Sequence, residues 1–188
     1  MKNDCVILAA GLSSRMGFWK PALEIDGMPM VLRSVLNAKV HSKQIIVVGG
    51  HRFGDLRDIL AGIPDILLVE NPHFEKGMLT SMKASLEHIS SESFFLTLAD
   101  MPFIQPDTFA ILAEKPFRNA LFPLYKGRRG HPVLVNLRLK DTILSAPDNH
   151  MMKDVLNRLP VSEVEVHDPG ILKDIDRPLD IERNLNKS

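Results

Sequence analysis

Short runs of apolar and β-branched residues alternate with longer amphipathic segments through the first half of the chain. The runs lack polar alternation, which is typical of strands that are buried on both faces of a parallel sheet. They predict strands at 5–9, 44–48, 66–69 and 94–98. Between them, apolar positions recur three and four residues apart, which predicts helices at 30–40, 53–61 and 79–89. This alternation predicts right-handed βαβ units and therefore an α/β fold with a doubly wound, mostly parallel sheet.

The pattern changes at about residue 120. Two apolar runs, 120–123 and 131–135, flank a basic stretch from Lys126 to Gly130, which predicts two strands joined by a flexible, glycine-flanked loop. The other elements predicted here are helices at 137–144, 149–158 and 178–185, and strands at 163–167 and 172–175. Neither a repeat nor a linker-like stretch interrupts the chain, so we predict one domain over 1–188.

Composition limits the classes of protein that the chain can represent. Of its 188 residues, 45% are apolar and 24% are charged, which is typical of a globular domain. Lys plus Arg equal Asp plus Glu at 23 each, so the formal net charge is zero, which argues against a nucleic-acid-binding protein. The single cysteine, Cys5, excludes an internal disulfide and favours a reducing compartment.

Two further patterns bear on location. The apolar run at 5–10 is too short for a secretory signal peptide. A membrane-spanning helix needs about eighteen or more consecutive apolar residues, and the sequence has no such run. We therefore expect a cytoplasmic protein that requires neither a membrane nor nucleic acid.

The end of the first predicted strand carries a dense set of small and polar residues. In open α/β sheets, ligands bind at the carboxyl ends of strands. The set at this end consists of Gly11, Ser13, Ser14, Arg15, Gly17 and Lys20. Glycine lets backbone N–H groups approach a phosphate, Arg15 can bind phosphate oxygens through two N–H groups, and Lys20 adds a mobile positive charge. Each residue alone fits a solvated surface turn, whereas the set together predicts a polyphosphate site.

Acidic residues at two other places predict a metal site. Asp100 follows the strand predicted at 94–98, and Asp174 and Asp176 alternate beside the strand predicted at 172–175. Carboxylates at strand ends are suited to hold a Mg²⁺ ion that bridges triphosphate oxygens. Asp176 is the better candidate of the alternating pair, and Asp174 would orient neighbours or face solvent. For Asp100, the alternative is a structural role in the turn before a helix.

The same motifs carry a resemblance to a known family. They are Leu-Ala-Ala-Gly-Leu-Ser-Ser-Arg-Met-Gly at 8–17 with Lys20, the segment 71–81, Leu-Ala-Asp-Met-Pro at 98–102, Gly-His-Pro-Val-Leu at 130–134, and Asp-Ile-Asp-Arg-Pro at 174–178. In this order they resemble the cytidylyltransferases of the molybdopterin-type NTP transferase family, and they span nearly the whole chain. The resemblance implies the nucleotide-diphospho-sugar transferase-like, Rossmann-type version of the predicted fold. It also implies a nucleotide half at about 1–105 and an acceptor-side half at about 106–188.

The resemblance implies a reaction: transfer of CMP from CTP to molybdopterin that bears molybdenum, with release of pyrophosphate. By position, Arg15 and Lys20 would hold the triphosphate, and Asp100 and Asp176 would hold Mg²⁺, or Mn²⁺ in its place. Catalysis would rest on Lys20, Arg15 and Asp100. The nucleotide site would comprise Leu8, Ala9, Ala10, Gly11, Ser13, Ser14, Arg15, Lys20, Gly77 and Ser81. Similar guanylyltransferases carry glycine where this chain has Ala10, which favours cytosine over guanine.

Other residues have two interpretations that the sequence leaves open. Ser81 could cap the helix predicted at 79–89 or contact nucleotide, as could the N–H groups after Gly77. His131 could donate to the acceptor phosphate or pack in a turn beside Pro132. Arg128 and Arg129 could bind an anionic acceptor or remain solvated.

Two rival functions also remain open. One is nucleotidyl transfer to another phosphorylated acceptor, such as a sugar phosphate, or from another base. The other is a non-catalytic carrier that delivers the finished cofactor to a partner molybdoenzyme, and such transient contact could coexist with catalysis. A dinucleotide-dependent oxidoreductase and a P-loop ATPase are disfavoured, because the glycines follow neither the G-x-G-x-x-G nor the G-x-x-x-x-G-K-[ST] pattern.

Overall fold

The computed structural model describes residues 2–11, 19–175 and 180. Four predicted site residues lie outside the described residues, namely Ser13, Ser14, Arg15 and Asp176. The helix predicted at 178–185 also falls almost entirely outside them.

Strands and helices alternate along the first part of the chain, as the hydrophobic pattern predicts. The strands are β1 (Asn3–Leu8), β2 (Glu24–Ile25), β3 (Met28–Pro29), β4 (Ser42–Gly49), β5 (Ile66–Glu70), β6 (Ser93–Leu98), β7 (Ala120–Tyr125), β8 (Arg128–Arg129), β9 (Val133–Asn136) and β10 (Ser162–Glu165). The α-helices are α1 (Met30–Lys39), α2 (Phe53–Leu60), α3 (Met78–Ser85), α4 (Pro106–Ala113), α5 (Lys140–Ser145) and α6 (Met152–Leu156). Short 3₁₀ turns occupy Lys20–Ala22, Phe74–Lys76, Leu137–Leu139 and Pro169–Leu172.

The main sheet follows the order β10-β7-β9-β6-β1-β4-β5, with β8 paired to β7. β1 pairs in parallel with β4 and β6, and β4 pairs in parallel with β5. β9 runs antiparallel to both β6 and β7. The chain first builds outward from β1 through β4 to β5 and then places β6 on the opposite side of β1. This reversal confirms the doubly wound, mostly parallel sheet and puts its topological switch point at β1.

Both faces of the sheet are covered, because successive side chains of each strand point to opposite faces. On β1, Val6 and Leu8 belong to one apolar cluster, whereas Cys5 and Ile7 belong to the other. The first cluster includes side chains from α3, α5 and α6, and the second includes side chains from α1, α2 and α4. This two-sided burial explains why the strands read as continuous apolar runs.

The structure corrects several predicted elements after residue 120. The stretch 172–175 is not a strand; the 3₁₀ turn Pro169–Leu172 leads into irregular backbone. The predicted flexible loop is a tight β-hairpin, in which Lys126 and Gly127 have φ of 51° and 71° and β8 pairs with β7. Positive φ at both central residues matches the twist of the flanking strands, so this turn closes a hairpin.

Some helices of the structure are shorter than the ranges that the hydrophobic pattern predicts. α3 ends at Ser85 rather than at residue 89, and α6 covers only Met152–Leu156 of the predicted 149–158. The helix predicted at 137–144 begins as a 3₁₀ turn before α5. After α3 the apolar periodicity continues because Leu86 and Ile89 are still buried, so the pattern overestimates the length of that helix.

Among the described residues, no helix is long and apolar enough to cross a membrane.

Candidate active site

A cavity of about 430 Å³ opens at the carboxyl ends of the central strands. Its wall is formed by the ends of β1 and β6 with the residues that follow them, the starts of α1 and α3, and the 3₁₀ turns at residues 20 and 74, namely Leu8, Ala9, Ala10, Gly11, Lys20, Pro21, Met30, Phe74, Met78, Ser81, Leu98, Ala99 and Asp100. The structure thus brings together seven of the predicted site residues: Leu8, Ala9, Ala10, Gly11, Lys20, Ser81 and Asp100. The cavity lies at the topological switch point, where open α/β sheets bind their ligands.

The backbone at the end of β1 is fixed by its neighbours. The N–H of Ala9 donates to the carbonyl of Val48 at 2.8 Å, and the N–H of Ala99 donates to the carbonyl of Leu8 at 3.0 Å. Ala9 and Ala10 are buried, whereas Gly11 is exposed. A Cβ atom at Gly11 would meet no other atom within 4 Å, so packing does not explain the glycine there. Close approach of a ligand to the backbone is consistent with a glycine at this position.

A charged pair marks one side of the cavity. Nζ of Lys20 lies 3.3 Å from Oδ2 of Asp100, and the two side chains are only 15% and 26% exposed. Oδ1 of Asp100 is buried and accepts no hydrogen bond from the part of the chain that the structure describes. A buried carboxylate oxygen without a donor is costly, because it has lost water and gained no partner.

Burial raises the pKa of Asp100 above its ordinary value. The positive charge and hydrogen bond of Lys20 act in the opposite direction, and the negative charge of Asp174 adds to the rise. The structure therefore holds Asp100 where its ionised form needs more positive charge than Lys20 supplies.

A divalent cation fits this carboxylate. Oxygen ligands suit Mg²⁺, which needs few protein ligands because it keeps water and binds substrate phosphates. No cluster of three potential metal-ligating side chains occurs among residues 2–11, 19–175 and 180, so the described residues do not form a closed protein cage for a metal.

Helix α1 holds the loop that carries Asp100. The hydroxyl of Ser34 donates to the carbonyl of Ala99 at 3.0 Å. The side-chain amide of Asn37 donates to the carbonyls of Pro102 and Ile104, both at 3.0 Å. We did not predict these two residues as part of the site. Their signal was present in the sequence, since they are polar residues three positions apart beside the apolar face of an amphipathic helix.

The loop that follows β5 forms the opposite side of the cavity. The side-chain amide of Asn71 donates to the hydroxyls of Thr80 and Ser81 at 2.8 and 2.9 Å. Ser81 is the fourth residue of α3, so the predicted capping role is wrong; Gly77 occupies the cap position. Gly77 does not line the cavity, and a Cβ there would lie 3.1 Å from the carbonyl oxygen of Asp148.

The predicted acceptor-binding residues do not line the cavity. Arg129 forms an ion pair with Glu163, and its guanidinium lies 5.0 Å from the ring centre of Phe122. Arg128 is exposed on the edge strand β8. Burial lowers the pKa of His131 to about 4, so its imidazole is neutral at physiological pH and can donate only one N–H.

Comparison with known proteins places these features in a family context. Residues 5–164 match the MobA-like NTP transferase domain. The chain is 36% identical over 177 residues to the molybdenum cofactor cytidylyltransferase of Escherichia coli, which covers 94% of this chain and 92% of that protein.

Solved structures show the same fold at low sequence identity. A nucleotidyl transferase from Methanothermobacter superposes with a TM-score of 0.84 at 22% identity, covering 99% of this chain and 97% of that chain. Rv0371c from Mycobacterium tuberculosis, solved as a complex with manganese, superposes with a TM-score of 0.78 at 23% identity and covers 100% of both chains.

Proposed function

Because the chain belongs to the MobA-like NTP transferase family, we propose that it transfers CMP from CTP to molybdenum-bearing molybdopterin. The products would be pyrophosphate and the cytosine dinucleotide form of the cofactor. The structural observation that carries the proposal is the cavity at the switch point with Lys20 and Asp100 on one side. The 36% identity to a cytidylyltransferase over 94% of the chain supports the choice of nucleotide and acceptor.

The cavity divides into a charged and an uncharged side. Lys20 and Asp100 lie at the β6 side of β1, and Phe74, Met78 and Ser81 come from the loop and helix that follow β5. The charged side suits the triphosphate, and the less polar side suits the cytidine. Ala10 between them supports cytosine only modestly, because one methyl group discriminates by about 1–3 kcal/mol.

The proposed metal ligands are Asp100 and Asp176, with Mg²⁺ as the ion and Mn²⁺ as a substitute. The burial and the orphaned Oδ1 of Asp100 support this assignment. When bound, the ion would supply positive charge to the triphosphate oxygens. Lys20 and Arg15 would offset the negative charge that develops on the leaving pyrophosphate.

Transfer then proceeds as one in-line displacement. An oxygen of the acceptor's terminal phosphate forms a bond to the α-phosphorus of CTP as the bond from that phosphorus to the pyrophosphate oxygen breaks. A phosphate monoester is already ionised near neutral pH, so no side chain is needed as a base. The chain contributes by positioning the two substrates and by offsetting the charge that grows on pyrophosphate.

Arg128, Arg129 and His131 remain the proposed acceptor contacts. Of the two arginines, Arg128 is the better candidate, because Arg129 would first have to leave Glu163. Cytoplasmic location and transient contact with a recipient molybdoenzyme complete the proposal.

The proposal is tested by acceptor-dependent pyrophosphate release from CTP, GTP, ATP and UTP, each with Mg²⁺. Release from CTP alone supports cytidylyl transfer. Release mainly from GTP would keep the enzyme class and overturn the base. Release that occurs only with a sugar phosphate would overturn the acceptor. Tight binding of the finished cofactor without release from any nucleotide would favour the carrier function instead.

A further inference from the structure

Asp168 is a buried carboxylate that joins two segments distant in the sequence. It is 4% exposed. Its Oδ2 accepts hydrogen bonds from the N–H of Gln105 at 2.8 Å and from the hydroxyl of Thr108 at 2.7 Å. Its Oδ1 accepts from the N–H of Gly170 at 2.8 Å. Asp168 therefore ties the start of α4 to the 3₁₀ turn Pro169–Leu172.

Close packing holds the same two segments together. A Cβ atom at Gly170 would lie 2.0 Å from the carbonyl oxygen of Phe103, so only glycine allows this approach. Further along, the N–H of Ile175 donates to the carbonyl of Asp100 at 2.9 Å. Residues 168–175 are thus fixed to residues 100–108 near both ends, by Asp168 at one end and by Ile175 at the other.

This arrangement places two carboxylates near each other. Asp174 immediately precedes Ile175, and its negative charge acts on Asp100. No β-ladder joins the two segments within the described part of the chain. Their spacing therefore depends on the side-chain and backbone contacts just described, of which Asp168 makes three.

We propose that Asp168 is a positioning residue for the divalent cation: it fixes the separation between Asp100 and residues 174–175. Asp168 itself lies outside the cavity wall and touches no substrate in this account. The inference rests on the proposed function, because it assumes that Asp100 binds a cation. Residues that orient a metal ligand typically change metal affinity by about 10- to 100-fold when replaced.

The chain offers a matched control for a purely structural effect. Asp4 is also buried, at 0% exposure, and its Oδ2 also accepts three hydrogen bonds, from the N–H and hydroxyl of Ser90 and the N–H of Ser91. It lies near the amino end of β1, away from the cavity. Asp4→Asn and Asp168→Asn should therefore both lower the thermal midpoint, while only Asp168→Asn should alter cation binding.

The experiment titrates Mn²⁺ into wild type and both variants and measures free Mn²⁺ by electron paramagnetic resonance. A second readout is the Mg²⁺ concentration that gives half-maximal transfer, and a third is CTP affinity in EDTA. We expect Asp168→Asn to weaken Mn²⁺ binding about tenfold and to raise the Mg²⁺ requirement similarly. CTP affinity in EDTA should stay within about twofold, and Asp4→Asn should match wild type in all three readouts.

A milder variant covers the case in which Asp168→Asn does not fold. Thr108→Val removes one of the three hydrogen bonds and keeps the side-chain shape. Because the net contribution of one hydrogen bond is small, we expect a loss of Mn²⁺ affinity of about two- to fourfold. Wild-type Mn²⁺ affinity and Mg²⁺ requirement in the folded variants would overturn the positioning role and leave the proposed function intact. Absence of metal-dependent transfer and of Mn²⁺ binding in wild type would overturn the proposed function first.

Discussion

Two aspartates at opposite ends of the parallel sheet, Asp4 and Asp100, differ in their hydrogen-bond partners. Near the amino end of β1, Asp4 is fully buried and accepts three hydrogen bonds from Ser90 and Ser91. At the carboxyl end, Asp100 follows β6, and its Oδ2 is paired with Lys20 while its Oδ1 accepts no hydrogen bond from any described residue. Oδ1 of Asp4 likewise accepts no hydrogen bond from any described residue, so the two carboxylates differ at Oδ2. Three donors from Ser90 and Ser91 surround Oδ2 of Asp4, whereas Oδ2 of Asp100 pairs with Lys20 at the cavity wall.

One pair of neighbouring strands thus serves both the stability of the fold and the candidate site. β1 carries Asp4 near its amino end. β6, which pairs with β1 in parallel, ends two residues before Asp100. Where the local turn supplies donors, a buried charge strengthens the fold. Where it does not, the charge is held by the surrounding structure at a cost in stability, which is typical of residues that bind ligands.

The largest effect is expected for Asp100→Asn. Transfer should fall by about two to three orders of magnitude, as when a group that stabilises transition-state charge is removed. The thermal midpoint at neutral pH should rise, because the raised pKa of Asp100 means that its ionised form disfavours the folded state. Calorimetric melting and a transfer assay on the same preparation check both parts. A lower midpoint together with full activity would remove the contrast with Asp4.

The next effect is expected for Lys20→Met. Without the ammonium group, charge on the triphosphate is offset less, and transfer should slow by about ten- to a hundredfold. Arg33→Met is the matched control, since Arg33 pairs with Asp26 and does not line the cavity. A pyrophosphate-release assay that finds equal rates for wild type and Lys20→Met would remove Lys20 from the site.

Cation affinity should depend on pH through Asp100. A proton and a cation compete for the same carboxylate, and its pKa is raised by burial. Mn²⁺ affinity should therefore be full above that raised pKa and fall as pH decreases through it, at a higher pH than for an ordinary aspartate of pKa about 3.9. Titrations of Mn²⁺ from pH 8 downward measure this. A decline that begins only near pH 4 would contradict the assigned environment of Asp100.

Asp4→Asn should show the opposite profile to Asp100→Asn. Replacing the carboxylate by an amide should lower the free energy of unfolding by about 1–3 kcal/mol, because the three hydrogen bonds lose their charged acceptor and the buried amide NH2 has no acceptor. The kcat/KM for CTP should remain that of wild type. Urea unfolding and steady-state kinetics separate the two quantities. A loss of kcat/KM without a loss of stability would show that the amino end also serves the reaction.

The smallest effects are expected on the acceptor side. Arg129→Ala should change the free energy of unfolding by less than about 1 kcal/mol, since its ion pair with Glu163 is partly exposed. Arg128→Ala should raise the acceptor KM more than Arg129→Ala does, because Arg129 is already paired. Acceptor KM values of the two variants, measured side by side, decide this; a larger effect at Arg129 would indicate that it leaves Glu163 on binding.

The contrast also explains what the sequence could predict. Strand ends at Ala9 and Asp100 were predictable because continuous apolar runs mark buried parallel strands and ligands gather at their carboxyl ends. Ser34 and Asn37 stand out in the sequence as polar residues beside the apolar face of a helix, but the groups that they and Asp168 bind were not predictable, because those partners lie 60 to 65 residues away in the chain. No periodic pattern carries such contacts.

The errors have a similar physical origin. The apolar residues near Ile175 suggested a strand, yet Ile171 and Ile175 are buried while the residues between them are not. Glycine at 170 lets the backbone pack directly on Phe103. Sequence patterns report burial more reliably than they report hydrogen-bond partners. The parallel half of the chain, where burial and pairing coincide, was therefore predicted better than the part after residue 120.

We propose that the carboxyl end of the sheet binds CTP and, at Asp100, a divalent cation. The most direct measurement is a crystal structure of the protein with Mn²⁺ and a non-hydrolysable CTP analogue, with Mn²⁺ located by anomalous scattering. We expect an anomalous peak in contact with the Asp100 carboxylate, the triphosphate beside Lys20, and the cytidine against the end of β1. A peak away from Asp100, or a nucleotide bound outside this cavity, would contradict it.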